Sequence, residues 1–393
     1  MTDGALRIVV LGYVVGFPLG GMTWHTLQYP MGLAALGHDV WVVEDSDDYE
    51  TCYDPSTGQV GADPAYGLRY AARVYDRVGL GARWAYHDSH TGTWHGPASD
   101  RILQVCGTAD VVINIAGIHP LRPWLTDIDD RVFVDADPAF TQVRHLTDPT
   151  AAAHAAAHTA HATFGELIPA GRSAVPDDGF AWVATRQPIV LDAWPVTPPP
   201  DRGRLTTVMQ WDSYRPAVHD GVEYGMKSAS FEPYVELPRR TCAAMELALG
   251  RGRDRVDELR EAGWIISNPE EATADPWVYQ RYLAASLGEW SVAKHGYVRA
   301  RTGWFSERTA AYLASGRPAV VQDTGWSRTL PSGEGLLAFH DPDSAATAVD
   351  LVCRDPAGHG HRAREVAHAH FDANTVLAQL LADTVGRSTT AAS

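Results

Sequence analysis

The sequence predicts an α/β protein of two domains, each built around a parallel sheet. Its opening reads as an apolar strand over residues 6–11, a glycine-rich loop, a helix over 24–36 and a second strand over 38–43. A strand, a helix and a strand in this order place the two strands parallel and side by side. Residues 195–201, PVTPPPD, form a stiff segment that cannot pair in a sheet, and strand and helix patterns resume after it.

The remaining elements follow from apolar runs and helical spacing. Strands are predicted at 111–115, 132–135 and 162–164 in the first half, and at 205–210, 263–267 and 290–293 in the second. Helices are predicted at 240–249 and 276–287. The predicted organisation is a domain over 1–195, a linker over 196–201, a domain over 202–362, a helix over 363–385 and a disordered tail over 386–393.

The bulk composition is that of a globular protein, with 393 residues of which 45% are hydrophobic and 20% are charged. A formal net charge of −16 argues against binding to nucleic-acid phosphates as the main function, because that affinity comes from clustered lysine and arginine. Four cysteines without paired spacing predict reduced thiols and a cytoplasmic location. No apolar run is long enough to cross a bilayer, and the first strand begins too early to leave room for a signal peptide.

The stretch that says most about function is residues 302–339, TGWFSERTAAYLASGRPAVVQDTGWSRTLPSGEGLLAF. Ser306 is a ready N-cap, and Glu307 places negative charge in the first turn of the helix that follows. Residues 319–321 predict a buried strand. The loop at the carboxyl end of that strand contains Asp323, Thr324 and Gly325. Ligands of open α/β sheets bind at this edge, and the free N–H groups of a helix N-terminus suit a diphosphate.

This order of elements resembles the donor-binding half of the GT-B glycosyltransferases, in which a loop, a helix, a strand, an Asp-x-Gly and a Gly-x-Gly-Leu-Leu bracket a nucleotide sugar. The resemblance implies two facing Rossmann-like domains with parallel sheets, the first on the acceptor side and the second binding a nucleoside-diphosphate sugar. It also implies metal-independent transfer, closure of the domains about the proline-rich segment, and a last helix that packs back on the first domain. The expected activity is sugar transfer to a small-molecule acceptor in a biosynthetic tailoring pathway.

The resemblance assigns candidate site residues in both halves. His25, at the start of the first helix, is implied to be the acceptor base or a clamp on the transferred sugar, and Asp137 is a second candidate for the base. The candidates for donor binding are Gly20, Gly21, Lys227, Lys294, Tyr297, Phe305, Ser306, Glu307, Asp323, Thr324 and Gly325. His119 is a candidate on the acceptor side. No metal and no cofactor other than the nucleotide sugar is expected, and neither a nucleic acid nor a membrane is expected as a partner.

The chemistry of four of these residues supports their assignment. Only histidine titrates near neutrality without perturbation, as a general base must, which favours His25. Lys227 and Lys294 are the only lysines in the sequence, and a compact cation suits a phosphate that gains charge as the sugar leaves. Tyr297 has the ring to stack on a nucleoside base, although large aromatics in loops more often pack.

One departure from the family concerns a pair of glutamates. Large retaining GT-B families carry two glutamates eight positions apart around the donor loop, and here those positions hold Gly303 and Ala311. Glu307 and Asp323 are the predicted substitutes for contacts to sugar hydroxyls. Because the usual pair is missing, two alternatives stay open: a nucleotide-sugar epimerase on the same scaffold, and a non-catalytic protein that binds a nucleotide sugar.

The loop over residues 12–21 has a second interpretation, as part of a nicotinamide-dinucleotide site with Glu44 or Asp45 on the ribose. Its glycines lack the G-x-G-x-x-G spacing, and a plain strand-to-helix turn is the simplest alternative. The acid pairs at 45–47 and 135–137 have the form that carries a metal-bound diphosphate in single-domain transferases. The expected two-domain architecture favours the metal-free form, and the simplest role for Asp137 is to cap the turn before Pro138.

Three histidines in an alanine-rich segment form the last candidate cluster. His154, His158 and His161 are spaced to fall on one helical face. Such a stripe can hold zinc, but no carboxylate or thiol follows at the spacing of a further ligand. A packed or solvated face is therefore the favoured interpretation.

Overall fold

The computed structural model describes residues 4–386, except for the side chain of Arg253. The predicted tail over 386–393 lies outside the described residues beyond Gly386. Two parallel sheets and their covering helices form the α/β architecture that the sequence predicts. We call the two halves the first lobe and the second lobe, in the order in which their sheets occur along the chain.

The sheet of the first lobe is built from strands that precede the proline-rich segment. The strands here are β1 (Arg7–Leu11), β2 (Asp39–Asp45), β3 (Cys52–Asp54), β4 (Gln59–Gly61), β5 (Trp84–Asp88), β6 (Thr93–His95), β7 (Val111–Ile115), β8 (Asp130–Asp135), β9 (Ala160–Thr163) and β10 (Trp182–Ala184). The sheet has the order β10–β9–β8–β7–β1–β2–β5–β6. All its pairings are parallel except that of β5 with β6, and β3 and β4 form a separate hairpin.

The sheet of the second lobe is built from strands after that segment. They are β11 (Arg204–Gln210), β12 (Ala217–His219), β13 (Val222–Tyr224), β14 (Ala244–Gly250), β15 (Ile265–Ser267), β16 (Gly288–Ser291), β17 (Ala319–Gln322) and β18 (Leu336–Phe339). The order is β15–β14–β11–β16–β17–β18, with parallel pairing throughout. Strands β12 and β13 form a hairpin outside this sheet.

Helices cover both sheets. They are α1 (Gly20–Ala35), α2 (Ala65–Arg77), α3 (Ile102–Cys106), α4 (Pro123–Thr126), α5 (Phe140–Thr147), α6 (Pro149–Ala156), α7 (Lys227–Phe231), α8 (Val256–Glu261), α9 (Pro269–Thr273), α10 (Pro276–Ala284), α11 (His295–Ala300), α12 (Glu307–Ala314), α13 (Pro342–Arg354), α14 (Pro356–Phe371) and α15 (Ala373–Thr384). None of the helices within residues 4–386 combines the length and the apolar character that a bilayer crossing needs.

The predicted helix over residues 240–249 is wrong, because most of this stretch is strand β14. Alanine, leucine, methionine and glutamate have high helix propensity, which makes the segment look helical in isolation. In the structure β14 lies between β11 and β15, and Met245, Leu247 and Leu249 are buried in the apolar cluster of the second lobe. A strand inside a parallel sheet is covered on both faces, so its sequence is a nearly continuous apolar run.

The single helix predicted over 363–385 is also wrong, because α14 and α15 are separate. The chain bends at Asp372, where Ile189 donates its N–H to the carbonyl of Phe371 at 2.7 Å and accepts the N–H of Ala373 at 2.9 Å. The Asp372 carboxylate then caps α15 by accepting the N–H of Asn374 at 2.8 Å. Helix α14 packs on α12 in the second lobe, and α15 packs on α1 in the first.

The proline-rich segment contains no helix or strand, and the second lobe holds it in place. Arg317, at 1% exposure, donates to the carbonyl of Thr197 at 2.9 Å, to its hydroxyl at 2.7 Å and to the carbonyl of Pro198 at 3.0 Å. The segment is therefore anchored to the second lobe along part of its length.

An apolar cluster is shared by both lobes. Trp24 of α1, Tyr279 of α10 and Phe305, just before α12, are all buried in it. The Trp24 indole also donates to the carbonyl of Pro276 at 2.7 Å. The two lobes therefore meet along a packed interface, and the cleft between them lies beside this interface.

Candidate active site

The cleft is bordered by α1 of the first lobe and by the N-terminus of α12 of the second. A small pocket lies between them, and its lining includes Gly21, His25, Gln28, Tyr279, Glu307 and Arg308. A second small pocket, lined in part by Ser291, Ala293 and Ser306, lies where β16 and β17 end. The N-terminus of α12 thus borders both pockets, and the second lies at the carboxyl ends of parallel strands, where ligands of open α/β sheets bind.

The start of α12 is organised as the sequence predicts. The Ser306 hydroxyl accepts the N–H of Arg308 at 3.2 Å, and Glu307 lies in the first turn. Ser306 is buried, whereas Glu307 is partly exposed in the first pocket. The N-terminal N–H groups and the helix dipole make this end a favourable place for an anion.

Arg308 is a site residue that sequence reasoning missed. Its guanidinium is 9% exposed, donates to the Glu289 carboxylate at 2.6 Å and to the carbonyl of Val208 at 3.1 Å. Burial opposes the charge of Arg308, but the Glu289 carboxylate raises its pKa, so the side chain stays cationic. A cation in the first turn of a helix opposes the dipole, and that anomaly was the signal in the sequence.

Lys227 is the cation without a partner in this cleft. It opens α7, and within residues 4–386 its ammonium group has no hydrogen-bond acceptor and no ion pair. Burial, and after it the charges of Arg308 and Lys294, lower the pKa of Lys227 to about 7. Lys227 therefore interacts electrostatically with two further cations, each of which has its own carboxylate partner, so Lys227 is the cation that an anion would meet unpaired.

Lys294 and Asp137 connect the two lobes across the cleft. Lys294 Nζ lies 2.8 Å from Asp137 Oδ1 and 2.7 Å from the Tyr214 hydroxyl. The hydroxyls of Tyr214 and Tyr297 both donate to the same carboxylate. The Lys294 ammonium also lies over the rings of Phe140, Tyr214 and Tyr297, at 4.9, 4.3 and 5.3 Å from their centroids. Burial would raise the pKa of Asp137, but the Lys294 charge and these hydrogen bonds lower it.

This arrangement contradicts the predicted role of Asp137 as a base. A carboxylate held by an ammonium group and two hydroxyls, with a lowered pKa, is a poor proton acceptor. The alternative role of capping the turn is wrong as well, because the Asp135 carboxylate accepts the N–H of Asp137 at 2.8 Å. Tyr297 is 2% exposed and donates to Asp137, so it does not present its ring for stacking on a nucleoside.

His25 lies on α1 at the first pocket, on the side opposite α12. It is partly buried and meets the rings of Tyr29 and Phe164 edge-on, each at 6.2 Å. Burial lowers the pKa of His25, and the Glu307 carboxylate partly opposes this effect. The imidazole is therefore neutral at neutral pH, which is the form that accepts a proton.

The glycine-rich loop does not form a phosphate cradle. Its N–H groups at Val14, Val15 and Gly16 donate to the Glu44 carboxylate at 2.7, 2.8 and 2.5 Å. Burial raises the pKa of Glu44 to about 7, although the three N–H groups oppose the shift. Because the loop and Glu44 satisfy each other, neither is available to a dinucleotide, and the interpretation as a nicotinamide site loses its support.

Gly20 and Gly21 open α1 and serve the contact between the lobes. A Cβ at Gly20 would lie 2.3 Å from the carbonyl oxygen of Asp275, so only glycine allows α1 to approach α10 this closely. The structure thus gives Gly20 a packing role, and its contact with the donor phosphates stays a prediction. Gly21 has more room, with its nearest neighbour in the Tyr279 ring, and it lines the first pocket.

The loop after β17 makes several hydrogen bonds within itself, and its role in sugar binding stays a prediction. The Asp323 carboxylate accepts the N–H groups of Gly325 at 2.8 Å and Ser327 at 3.2 Å, and the Ser327 hydroxyl at 2.8 Å. The Thr324 hydroxyl donates to the carbonyl of Trp304 at 2.6 Å. Gly325 has a φ of +99° and packs against Leu167 of the first lobe.

Phe305 and His119 are two further predicted site residues that have packing roles, although Phe305 also lines the second pocket. Phe305 is 3% exposed and stacks on Phe371 at 5.1 Å, so its ring belongs to the shared apolar cluster. His119 is 2% exposed and donates its Nε2–H to the carbonyl of Gly12, behind the glycine-rich loop. Burial lowers the pKa of His119, and its position does not face an acceptor.

The histidine stripe is packed around one aromatic ring. His154 and His158 lie near the end of α6, but His161 belongs to β9, so the single helical face is wrong. All three contact the ring of Phe133, with centroids 5.2 to 6.2 Å apart. Within residues 4–386 no group of three or more His, Cys, Asp or Glu side chains is arranged to hold a metal ion.

Comparisons with known proteins bear on the fold. No family model matches the sequence, and no curated protein matches it. Among solved structures it is similar to AviGT4, a glycosyltransferase involved in avilamycin A biosynthesis, at 11% identity and a TM-score of 0.55 over 96% of both chains. It is also similar to Anabaena Alr3699/HepE in complex with UDP and glucose, at 10% identity and a TM-score of 0.56 over 96% of this chain and 99% of that chain. The chain has the GT-B fold.

A third GT-B structure of similar likeness is an α-glucosyltransferase in complex with UDP and a 13-mer DNA. It is 12% identical, with a TM-score of 0.58, over 96% of this chain and 99% of that chain. Identities this low show the GT-B fold and nothing about the substrates of this chain. The arguments for its chemistry therefore rest on the residues at the cleft.

Proposed function

We propose that this chain is a glycosyltransferase that moves a sugar from a nucleoside-diphosphate donor to a small-molecule acceptor. The observation that carries the proposal is the partnerless Lys227, in the same cleft as the buried Arg308 and the N-terminus of α12. A half-buried cation without a counter-ion reduces the stability of the fold, so a protein that keeps one has a use for it. Two of the similar structures contain UDP, which makes UDP the first nucleotide to test.

In the proposed reaction the diphosphate lies against the N-terminus of α12, between Lys227 and Arg308. These groups are held in place before the reaction, so they stabilise the negative charge that grows on the diphosphate as the sugar leaves. On the opposite side of the pocket, the neutral imidazole of His25 takes the proton of the acceptor hydroxyl or amine. Glu307 lies close enough to act electrostatically on both His25 and Lys227, and in this proposal it contacts a sugar hydroxyl.

A small acceptor fits this chain better than a polyanion does. The net charge of −16 repels nucleic acid, whereas a small neutral acceptor meets no such barrier. A tailoring role in small-molecule biosynthesis follows from that acceptor class.

The experiment is a thermal-shift panel with UDP, GDP, ADP and TDP, followed by assays with the matching nucleotide sugars. A ligand that binds only the folded state raises its melting temperature by mass action. We expect one diphosphate to protect the wild type and to protect Lys227→Met at least tenfold more weakly in apparent affinity. Arg260→Met, which removes an exposed cation of α8, is the matched control and should respond like the wild type.

The outcomes separate the alternatives. Donor converted without any acceptor indicates the epimerase, and binding without turnover by a broad set of acceptors indicates the non-catalytic protein. If all four diphosphates leave the melting temperature unchanged, or if Lys227→Met is protected as well as the wild type, the proposed donor site is wrong.

A further inference from the structure

The ion pair between Lys294 and Asp137 joins the two lobes beside the proposed donor site. Lys294 caps α11 of the second lobe, and Asp137 follows β8 of the first. Their side chains are 12% and 27% exposed, and the distance between them is 2.8 Å. A charged pair of this kind is strong only while both partners stay desolvated, so a third ion at the cleft acts on it directly.

A second anion near this pair would find Lys294 within reach. The Lys294 ammonium lies close enough to Lys227 to disfavour its charge, and Lys227 borders the proposed diphosphate position. Lysine carries a compact charge on a flexible four-carbon stem, so it can move between neighbouring anions without movement of the backbone.

Asp137 is built to lose its lysine at low cost. The hydroxyls of Tyr214 and Tyr297 both donate to its carboxylate, so Asp137 keeps two hydrogen-bond donors when Lys294 leaves. A buried carboxylate that kept no donor would carry the full penalty of desolvation, whereas one that keeps two hydroxyls does not. The pair therefore differs from an ordinary structural ion pair, in which removal of one partner strands the other.

We propose that Asp137 and the donor diphosphate compete for Lys294, so that Asp137 holds this lysine in the empty protein and yields it when the donor binds. This inference rests on the proposed function, because it places a diphosphate beside Lys227. Its consequence is that donor binding breaks an interlobe contact and leaves Asp137 with only its tyrosine partners, facing the acceptor side of the cleft. Asp137 is in this view a positioning residue that sets donor affinity.

The competition predicts opposite effects from the two halves of the pair. In calorimetric titrations with UDP at low salt, Asp137→Asn should bind UDP roughly three- to tenfold more tightly, because Lys294 no longer has a competing anion. Lys294→Met should bind UDP more weakly by a similar factor. The double variant should match Lys294→Met, because Asp137 acts only through the lysine.

The control is Glu246→Gln, which breaks an ion pair with Arg204 inside the second lobe at the same 2.7–2.8 Å spacing. It should lose stability without any gain in UDP affinity. Tyr297→Phe provides a second variant in case Asp137→Asn does not fold. It removes one hydroxyl donor from Asp137, which then holds Lys294 more tightly, so UDP binding should weaken.

Each outcome is decisive. Tighter UDP binding by Asp137→Asn together with weaker binding by Lys294→Met supports the competition. If UDP binds the wild type while Asp137→Asn binds it equally or more weakly, the competition is wrong and the proposed function stands. If UDP, GDP, ADP and TDP bind neither protein, the proposed function fails and the competition fails with it.

Discussion

Lys227 illustrates a conflict between folding and binding within one side chain. Its pKa of about 7 in the folded protein lies well below the ordinary value of a lysine, because burial and two neighbouring cations disfavour its charge. Between pH 7 and about 10 the unfolded chain holds a proton at this lysine that the folded chain does not. The free energy of unfolding therefore increases with pH across this window, and the penalty is present in full below pH 7.

The variant Lys227→Met tests this penalty directly. Methionine keeps the length of the side chain and removes the charge, so we expect it to raise the free energy of unfolding by roughly 1–2 kcal/mol at pH 7, discounted for the partial exposure of the lysine. The gain should shrink as the pH rises toward 10, because the wild-type lysine folds in its neutral form and the cost of losing its proton falls as the pH approaches the pKa of the unfolded state. Denaturant unfolding at pH 7 and 9.5 measures both values, and a variant less stable than the wild type at pH 7 contradicts the argument.

The same titration predicts how donor affinity depends on pH. A bound diphosphate favours the charged form of Lys227, so the wild type must take up a proton on binding once the pH exceeds about 7. UDP affinity should therefore decrease between pH 7 and 9 in the wild type and stay flat in Lys227→Met. Calorimetry in two buffers of different ionisation enthalpy reports the proton uptake, and equal heats in both buffers at pH 8 would rule it out.

At the scale of elements, the close approach of α1 to α10 holds the lobes together. Gly20 meets the carbonyl oxygen of Asp275, and the Trp24 indole one turn later donates to the carbonyl of Pro276. Asp275 in turn caps α10 by accepting the N–H groups of Trp277 and Val278 at 2.8 and 2.7 Å. The backbone at the start of α10 is thus fixed, and it cannot move away from a larger residue at Gly20.

Two alanine variants distinguish the effect of this close contact on stability from the effect of helix propensity. Gly20→Ala would place a Cβ 2.3 Å from a rigid carbonyl oxygen, so it should destabilise the protein by about 1–3 kcal/mol despite the better helix propensity of alanine. Gly21→Ala meets only the Tyr279 ring at 3.5 Å and should be neutral or stabilising by up to about 1 kcal/mol. Thermal unfolding of the two variants side by side decides, and equal effects would show that the approach of the helices is not limiting.

The elements show what the sequence could predict and what it could not. The helix cap at Ser306 and the strand β17 depend on neighbours along the chain, so the local pattern predicted them correctly. The prediction for β14 was wrong because the burial of both its faces depends on elements that are distant in sequence. Two contacts in the site could not be predicted for the same reason. Glu44 lies 28 to 30 positions from its partners in the glycine-rich loop, and Lys294 lies 157 positions from Asp137. Contacts between residues so distant in sequence produce no periodic pattern from which they could be predicted.

At the scale of the whole molecule, the fold and the net charge suggest different classes of acceptor. The GT-B fold is shared with an α-glucosyltransferase whose structure contains a 13-mer DNA. This chain carries a net charge of −16, and DNA affinity depends on the neutralisation of phosphates by lysine and arginine. From this charge we predict that the acceptor is not a nucleic acid.

A binding experiment with DNA tests this statement about charge. We expect no retention of a 13-mer duplex in a gel-shift assay at about 50 mM salt, conditions that favour non-specific binding. A basic DNA-binding protein of similar size serves as the positive control. Retention that weakens as salt increases would reveal a basic surface that the net charge hides and would reopen DNA as an acceptor.

Helix α15 has a consequence for the order in which the molecule is assembled in the cell. Ala373, Leu377, Leu380 and Leu381 of this helix are buried against Ile8 of β1 and Leu33 of α1, so the core of the first lobe is complete only with α15 in place. A ribosome makes α15 after the entire second lobe. The half of the protein that is translated first is thus finished last, and a nascent chain stalled before residue 373 exposes an apolar face that chaperones would recognise.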